Sequence, residues 1–233
     1  MTTRPAEIDV WTVSLSGLTP RIPMLRALLS PDELARAERF IFDRDRNHFI
    51  GCRAALRRLL GERLGMTPGE IDFSYGGKGK PFVLQAPIEF NVSHSGDFAL
   101  IGLSERIAIG VDIEKIREPK RNDWSDLAKR FFSETEVKAL ATLSPEDQTE
   151  GFFACWSRKE AYIKRHGLGL ALPLGDFSVS VDPAHAELLG ADWCPPDLKE
   201  TTLYDLHAPP GYRASMALEE TAKVHIHQRS FQI

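Results

Sequence analysis

The run Ile107-Ala108-Ile109-Gly110-Val111-Asp112-Ile113-Glu114 limits what this chain can become more than any other stretch. Side chains alternate across a strand, so Ile109, Val111 and Ile113 can enter a core while Gly110, Asp112 and Glu114 face the other way. The two acids then stand roughly 6–7 Å apart on one strand face. They can share a cation there, directly or through its waters, with Gly110 leaving room beside them. A half-solvated strand with acids on its outer side is the plainer alternative. A third carboxylate, Glu160 in Trp156-Ser157-Arg158-Lys159-Glu160-Ala161, shifts the balance toward a site.

Glu160 falls on an expected helix over Gly151–His166, ended by Gly167-Leu168-Gly169. Helical spacing puts Phe152, Trp156 and Ile163 on one apolar stripe and Ser157, Glu160 and Lys164 on the next; Arg158 and Arg165 face away. As a surface pair, Glu160 and Lys164 contribute only about 0.2–0.5 kcal/mol. The sharper reading makes Glu160 the third carboxylate and Lys164 the partner of a phosphate. Carboxylates without thiolate or histidine partners suit a hard cation: magnesium, with manganese as a substitute.

Basic groups gather upstream. Ser30-Pro31-Asp32-Glu33 carries a capping box and starts a helix bearing Arg36. A longer helix is expected over Asp43–Leu64, with Arg46, Arg53 and Arg57 on one stripe and His48 nearby; guanidinium groups suit phosphate, though such stripes are usually solvated faces. The loop Gly76-Gly77-Lys78-Gly79-Lys80-Pro81 could offer amides and ammonium groups to phosphate, yet it is not a Walker A loop, since Ser74 and Pro81 break that pattern. Ser93-His94-Ser95 closes a strand before a tight turn, and His225 and His227 alternate on a late strand expected to be an exposed face.

Ser30, Glu33, Leu34, Phe49 and Cys52 recur 103 residues later as Ser133, Glu136, Val137, Phe152 and Cys155. That echo predicts an α+β fold of two similar lobes related by pseudo-twofold symmetry, each a small mainly antiparallel sheet packed with helices. The lobes are placed at 1–105 and 106–233, with Arg57 and Glu160 at equivalent positions. The 233 residues allow two lobes with a shared core. A net charge of −4 gives no general attraction to nucleic acid or anionic membrane. Three widely spaced cysteines, no signal core and no membrane-length apolar run point to a reduced, cytoplasmic protein.

Taken in order, Gly79-Lys80-Pro81, Phe90-Asn91-Val92-Ser93-His94-Ser95, Gly110-Val111-Asp112-Ile113-Glu114, Arg130-Phe131-Phe132-Ser133, Trp156-Ser157-Arg158-Lys159-Glu160-Ala161-Tyr162-Ile163-Lys164 and Gly167-Leu168-Gly169-Leu170 closely resemble the 4′-phosphopantetheinyl transferases. Length places the resemblance with the long, pseudo-dimeric Sfp-type members, over about Ser30 to Val181. It implies transfer of the phosphopantetheine arm of coenzyme A to a carrier-protein serine, with release of adenosine 3′,5′-bisphosphate, by a monomer. By resemblance, Asp112, Glu114 and Glu160 match magnesium ligands, Glu160 the acid that takes the serine proton, and Lys164 a pyrophosphate neighbour. Lys80, Ser93 and His94 match coenzyme A contacts, with Lys78 and Pro81 in the same loop, and Arg36 matches a residue near the 3′-phosphate. His48 stands where relatives carry arginine, so Arg46 or Arg53 is expected to substitute. The segment Ile116 to Trp124 is expected near the docked carrier, with Trp124 either an exposed anchor or core. Two rivals remain at this stage: a metal-dependent nucleotide phosphohydrolase, and a non-catalytic coenzyme A- or carrier-binding module.

Overall fold

The computed structural model describes residues 5–117, 124–219 and 223–232. Along the chain run strands β1 (Ala6–Ser14), β2 (Phe73–Tyr75), β3 (Pro81–Val83), β4 (Glu89–Ser95), β5 (Phe98–Ser104), β6 (Ile109–Lys115), β7 (Ser178–Val179), β8 (Leu188–Gly190), β9 (Thr201–Asp205), β10 (Tyr212–Glu219) and β11 (Val224–Ser230). Helices are α1 (Leu15–Leu18), α2 (Ile22–Leu25), α3 (Pro31–Ala37), α4 (Asp43–Leu64), α5 (Trp124–Phe131), α6 (Glu134–Thr142), α7 (Pro145–His166) and α8 (Asp197–Glu200). One sheet has the order β11-β1-β5-β4 and the other β6-β10-β9; β2 pairs with β3, and β7 with β8.

The two similar lobes repeat one piece of chemistry. Ser30 starts α3, its amide donating to Glu33 at 3.0 Å, and Ser133 starts α6, its amide donating to Glu136 at 2.8 Å. Each capping glutamate is buried and takes a cation from the long helix of its own lobe: Arg57 to Glu33 at 2.7 Å, Lys159 to Glu136 at 2.6 Å. Both long helices span 22 residues and stop on a left-handed glycine, Gly65 or Gly167. These cap glycines are 102 positions apart, one fewer than the spacing of the capping motifs. Arg57 therefore corresponds to Lys159; the expected equivalence with Glu160 was one residue out of register.

Between the sheets lies a shared core. Ile8, Val10 and Leu100 of the first sheet pack with Ile109, Val111, Ile113, Met216 and Leu218 of the second. Gly102 on β5 permits the contact, because a Cβ there would sit 2.7 Å from Ile109 and Val111 side-chain carbons.

Two expectations change. Strand β11 pairs parallel with β1, from Ala6–Val224 to Thr12–Ser230, so the chain returns to the first sheet after building the second. On that strand His225 is exposed and His227 partly so, as expected of the face, and the fold brings both a sequence-distant acid: Glu7 accepts from His227 at 2.6 Å and lies 3.4 Å from His225. Arg158 and Arg165, expected to face away, are both buried. Arg158 reaches Asp205 and the Ser180 and Asp182 carbonyls, so α7 is enclosed on nearly every side.

Candidate active site

Strand β6 alternates as its pattern requires. Ile109, Val111 and Ile113 are fully buried, while Asp112 and Glu114 share the opposite side. That side is not solvent: Asp112 is only 1% exposed and Glu114 half-buried. Helix α7 covers the strand, and Gly110 allows it. A Cβ on Gly110 would lie 2.0 Å from the Ala161 carbonyl oxygen and 2.3 Å from the Arg165 nitrogen. The space beside Gly110 thus holds helix backbone, where the sequence suggested room for a cation.

The strand's other edge is joined to the first lobe by side chains. Val111, Ile113 and Lys115 donate their backbone N–H groups to Asn91 Oδ1 at 2.9 Å, Ser93 Oγ at 3.4 Å and Ser95 Oγ at 3.1 Å. Three side chains of β4 stand in for a main-chain ladder, and nothing in local sequence marks Asn91 for this. The same hydroxyls hold the acids: Ser93 donates to Asp112 Oδ1 and Ser95 to Glu114 Oε2, each at 2.8 Å. Lys164 Nζ meets Asp112 Oδ1 at 2.5 Å and Ser93 Oγ at 2.8 Å. Ser93 thus contacts both charged groups and a strand amide. Ser93→Ala is expected to cost about 1–3 kcal/mol, because it strands buried polar partners; urea unfolding checks this.

Asp112, Glu114 and Glu160 are neighbours without forming a ready chelate. Among the described residues no three acidic, histidine or cysteine side chains are gathered as a metal cage. Lys164 stands on Asp112 instead. Yet the donor set fits a hard cation. Asp112 Oδ2 is buried with no hydrogen-bond partner. Burial pushes the Glu160 carboxyl above its ordinary range; Lys164 pulls it back, while Asp112 and Glu114 push it further. Burial likewise raises Glu114, reinforced by Asp112. Unrelieved carboxylate repulsion beside an orphaned oxygen is what a divalent ion would remove.

Beside this cluster opens a cleft of about 620 Å³, lined by Arg36, Phe40, Arg44, Asp45, His48, Phe49, Cys52, Arg53, Leu56, Tyr75, Gly79, Pro81, Val92, His94, Ser95, Gly96 and Arg117. Its wall is basic although the whole chain is acidic. Partial enclosure by the cleft, then the Lys164 and His48 charges, holds the His94 imidazole below its ordinary pKa, although the residue still meets solvent. Burial pushes the Cys52 thiol up to about 11, which leaves it unreactive.

Of the expected ligand contacts, Arg36, His94 and Pro81 line the cleft, as does His48. Arg53 lines it too, but lies 3.3 Å from Glu33 and stacks on Phe73. Arg46 is outside, paired with Asp43, and neither Lys78 nor Lys80 lines the cleft. Lys80 donates to the Ile109 and Arg165 carbonyls instead. Arg44 and Arg117 were missed: the first is one of several arginines in a polar run, the second has no motif. Arg117 also borders a second, aromatic pocket of about 210 Å³ with Glu114, Trp124, Leu127, Phe152, Phe153 and Trp156. Trp124 is half-buried there, stacked on Phe152 at 4.6 Å, its Nε1 donating to Thr149 at 3.1 Å. Within Ile116 to Trp124, residues 118–123 lie outside the described residues.

The chain matches two family models. Residues 108–217 match that of the 4′-phosphopantetheinyl transferase superfamily, and residues 18–105 that of the 4′-phosphopantetheinyl transferase N-terminal region. It is 38% identical over 181 residues to 4′-phosphopantetheinyl transferase HetI of Nostoc sp., covering 76% of this chain and 75% of that one. The chain belongs to the 4′-phosphopantetheinyl transferase superfamily. It is 34% identical over 154 residues to 4′-phosphopantetheinyl transferase Sfp of Bacillus subtilis, 66% of each chain. The L-aminoadipate-semialdehyde dehydrogenase-phosphopantetheinyl transferase of Mus musculus is 28% identical over 191 residues, 76% of this chain and 62% of that one. In this phosphopantetheinyl transferase Arg117 lines both the basic cleft and the aromatic pocket, and of the three acids Glu114 borders the latter.

Proposed function

We propose that this transferase moves the 4′-phosphopantetheine arm of coenzyme A onto a serine hydroxyl of an apo acyl- or peptidyl-carrier protein, releasing adenosine 3′,5′-bisphosphate. One observation carries the reading: Lys164, Asp112 and Ser93 converge at the seam of the lobes, beside a cleft whose wall is rich in arginine and histidine. The lobes divide near residues 105 and 106, as the meeting of the two matched regions supports, with β11 returned to the first lobe. Two lobes in one chain favour a monomer. Free Cys52, Cys155 and Cys194 are compatible with a reduced cytoplasm, and among the described residues no helix is long and apolar enough to cross a membrane.

Coenzyme A lies in the cleft, its phosphates met by Arg36, His48, His94 and Arg44, with Arg53 and Arg117 adding positive charge. Asp112, Glu114 and Glu160 would hold magnesium, or manganese in its place. Such an ion, when bound, neutralises pyrophosphate charge. Glu160 accepts the proton of the carrier serine as the positioned base. The serine oxygen attacks the phosphorus next to pantetheine, and the bond to the adenosine-side phosphate oxygen breaks. Lys164 offsets the charge on that departing phosphate. The carrier approaches over the aromatic pocket, where the half-buried Trp124 and Trp156 offer an apolar contact next to Glu114.

Intact-mass measurement of an apo carrier incubated with enzyme, coenzyme A and magnesium tests this. The expected result is a mass gain of one phosphopantetheine per carrier, lost with EDTA and restored by magnesium. Bisphosphate release without carrier would make the protein a phosphohydrolase instead.

A further inference from the structure

Lys80 occupies an unusual place. Its neighbours Gly79 and Pro81 line the cleft, in a compact loop closed by Gly76 N–H to Lys80 carbonyl at 2.9 Å. Its side chain runs the other way, beneath the end of α7. A Cβ on Gly167 would come within 3.1 Å of Lys80 Cδ, so this left-handed cap glycine also makes room for the lysine stem. The amine then donates to two main-chain carbonyls of the second lobe, Arg165 at 3.1 Å and Ile109 at 3.3 Å. The first belongs to the last turn of α7, where helical carbonyls lack intrahelical partners and a cation is favoured. The second opens β6. Asp112 lies three residues beyond Ile109, and Lys164 immediately precedes Arg165.

We infer that Lys80 is a positioning residue, fastening the cleft rim to both elements that carry the reacting groups, and that its amine does not bind the ligand's phosphates. Ammonium capacity spent on carbonyls is withdrawn from the cleft, and burial lowers the lysine's pKa, as expected for a group enclosed between lobes. Without the amine, the rim that seats coenzyme A and the helix that carries Glu160 lose a shared anchor. Misplacement of about 1 Å between reacting groups can cost on the order of 100-fold in rate.

This rests on the coenzyme A reading above, and the test separates the two. Lys80→Met keeps the stem and removes the donors. It is expected to lower kcat with coenzyme A and with 3′-dephospho-coenzyme A by the same factor, on the order of 10–100, leaving the ratio of their KM values unchanged. Amide hydrogen exchange at residues 109–111 and 163–167 should quicken. Should Lys80→Met fail to fold, amine acetylation of the wild type, read by peptide mass, decides: Lys80 should resist labelling with or without coenzyme A. Unchanged exchange, a KM ratio falling toward one, an unaltered kcat, or Lys80 labelled in the free enzyme and protected by coenzyme A would each overturn the inference. A wild type without transferase activity would sink the parent reading while leaving the exchange and labelling results to judge Lys80.

Discussion

Glu160→Gln is expected to fold normally and to modify carrier about 10²–10⁴ times more slowly, the range a positioned base supplies. The substitution keeps shape and removes one negative charge. In the folded protein that charge sits against those of Asp112 and Glu114, which help push the carboxyl above its usual range. Neutralising it removes the cost of burying that charge as well as the repulsion, against the lost attraction of Lys164, so the variant's melting temperature should equal or exceed the wild type's in metal-free buffer. Loss of activity without loss of stability separates a chemical role from a packing one. A folded Glu160→Gln enzyme that loads its carrier at the wild-type rate would remove Glu160 from the mechanism.

Gly110→Ala should do the opposite, failing in stability before chemistry is reached. The added methyl group would meet the Ala161 carbonyl at 2.0 Å, the Arg165 nitrogen at 2.3 Å and the Arg165 Cα at 2.9 Å, all backbone atoms of α7. No rotamer relieves such a clash, so helix and strand must separate. Overpacking of this severity costs about 3 kcal/mol or more, against a total stability of about 5–15 kcal/mol. The melting temperature should fall by about 10 °C or the protein should be recovered insoluble. Gly175→Ala, where no atom lies within 4 Å of the new carbon, is the control and should melt as the wild type does. A Gly110→Ala protein as stable as that control would show that α7 does not press on β6 as described.

What was legible in the sequence was mostly local. The helical spacing of Phe49, Cys52, Leu56, Leu59 and Leu60 predicts α4 at its observed bounds. Both capping boxes formed as their Ser-x-x-Glu pattern requires. The alternation of β6 gave the right faces, but periodicity does not say what covers a face, so α7 against Asp112 was invisible. Distance in sequence hid the rest. Asn91, Ser93 and Ser95 find their amide partners some 20 residues away, Lys80 reaches Arg165, and Glu7 meets histidines near the far end of the fold. The motif that suggested Ser93 and Lys80 as ligand contacts does not announce the bonds Ser93 makes to Asp112 or Lys80 makes to the Ile109 and Arg165 carbonyls. Arg117 shows the converse, a cleft residue with no pattern around it.

The parallel pairing of β1 with β11 bears on biosynthesis. A ribosome makes β1 first, yet the strand that covers its outer edge arrives more than two hundred residues later. Until then a nascent chain shows bare amides and carbonyls from Ala6 to Thr12 beside the apolar Ile8 and Val10. Open edges of this kind recruit other chains. The half that emerges earliest is thus the one finished last, and in the interval its open edge is exposed to wrong pairing.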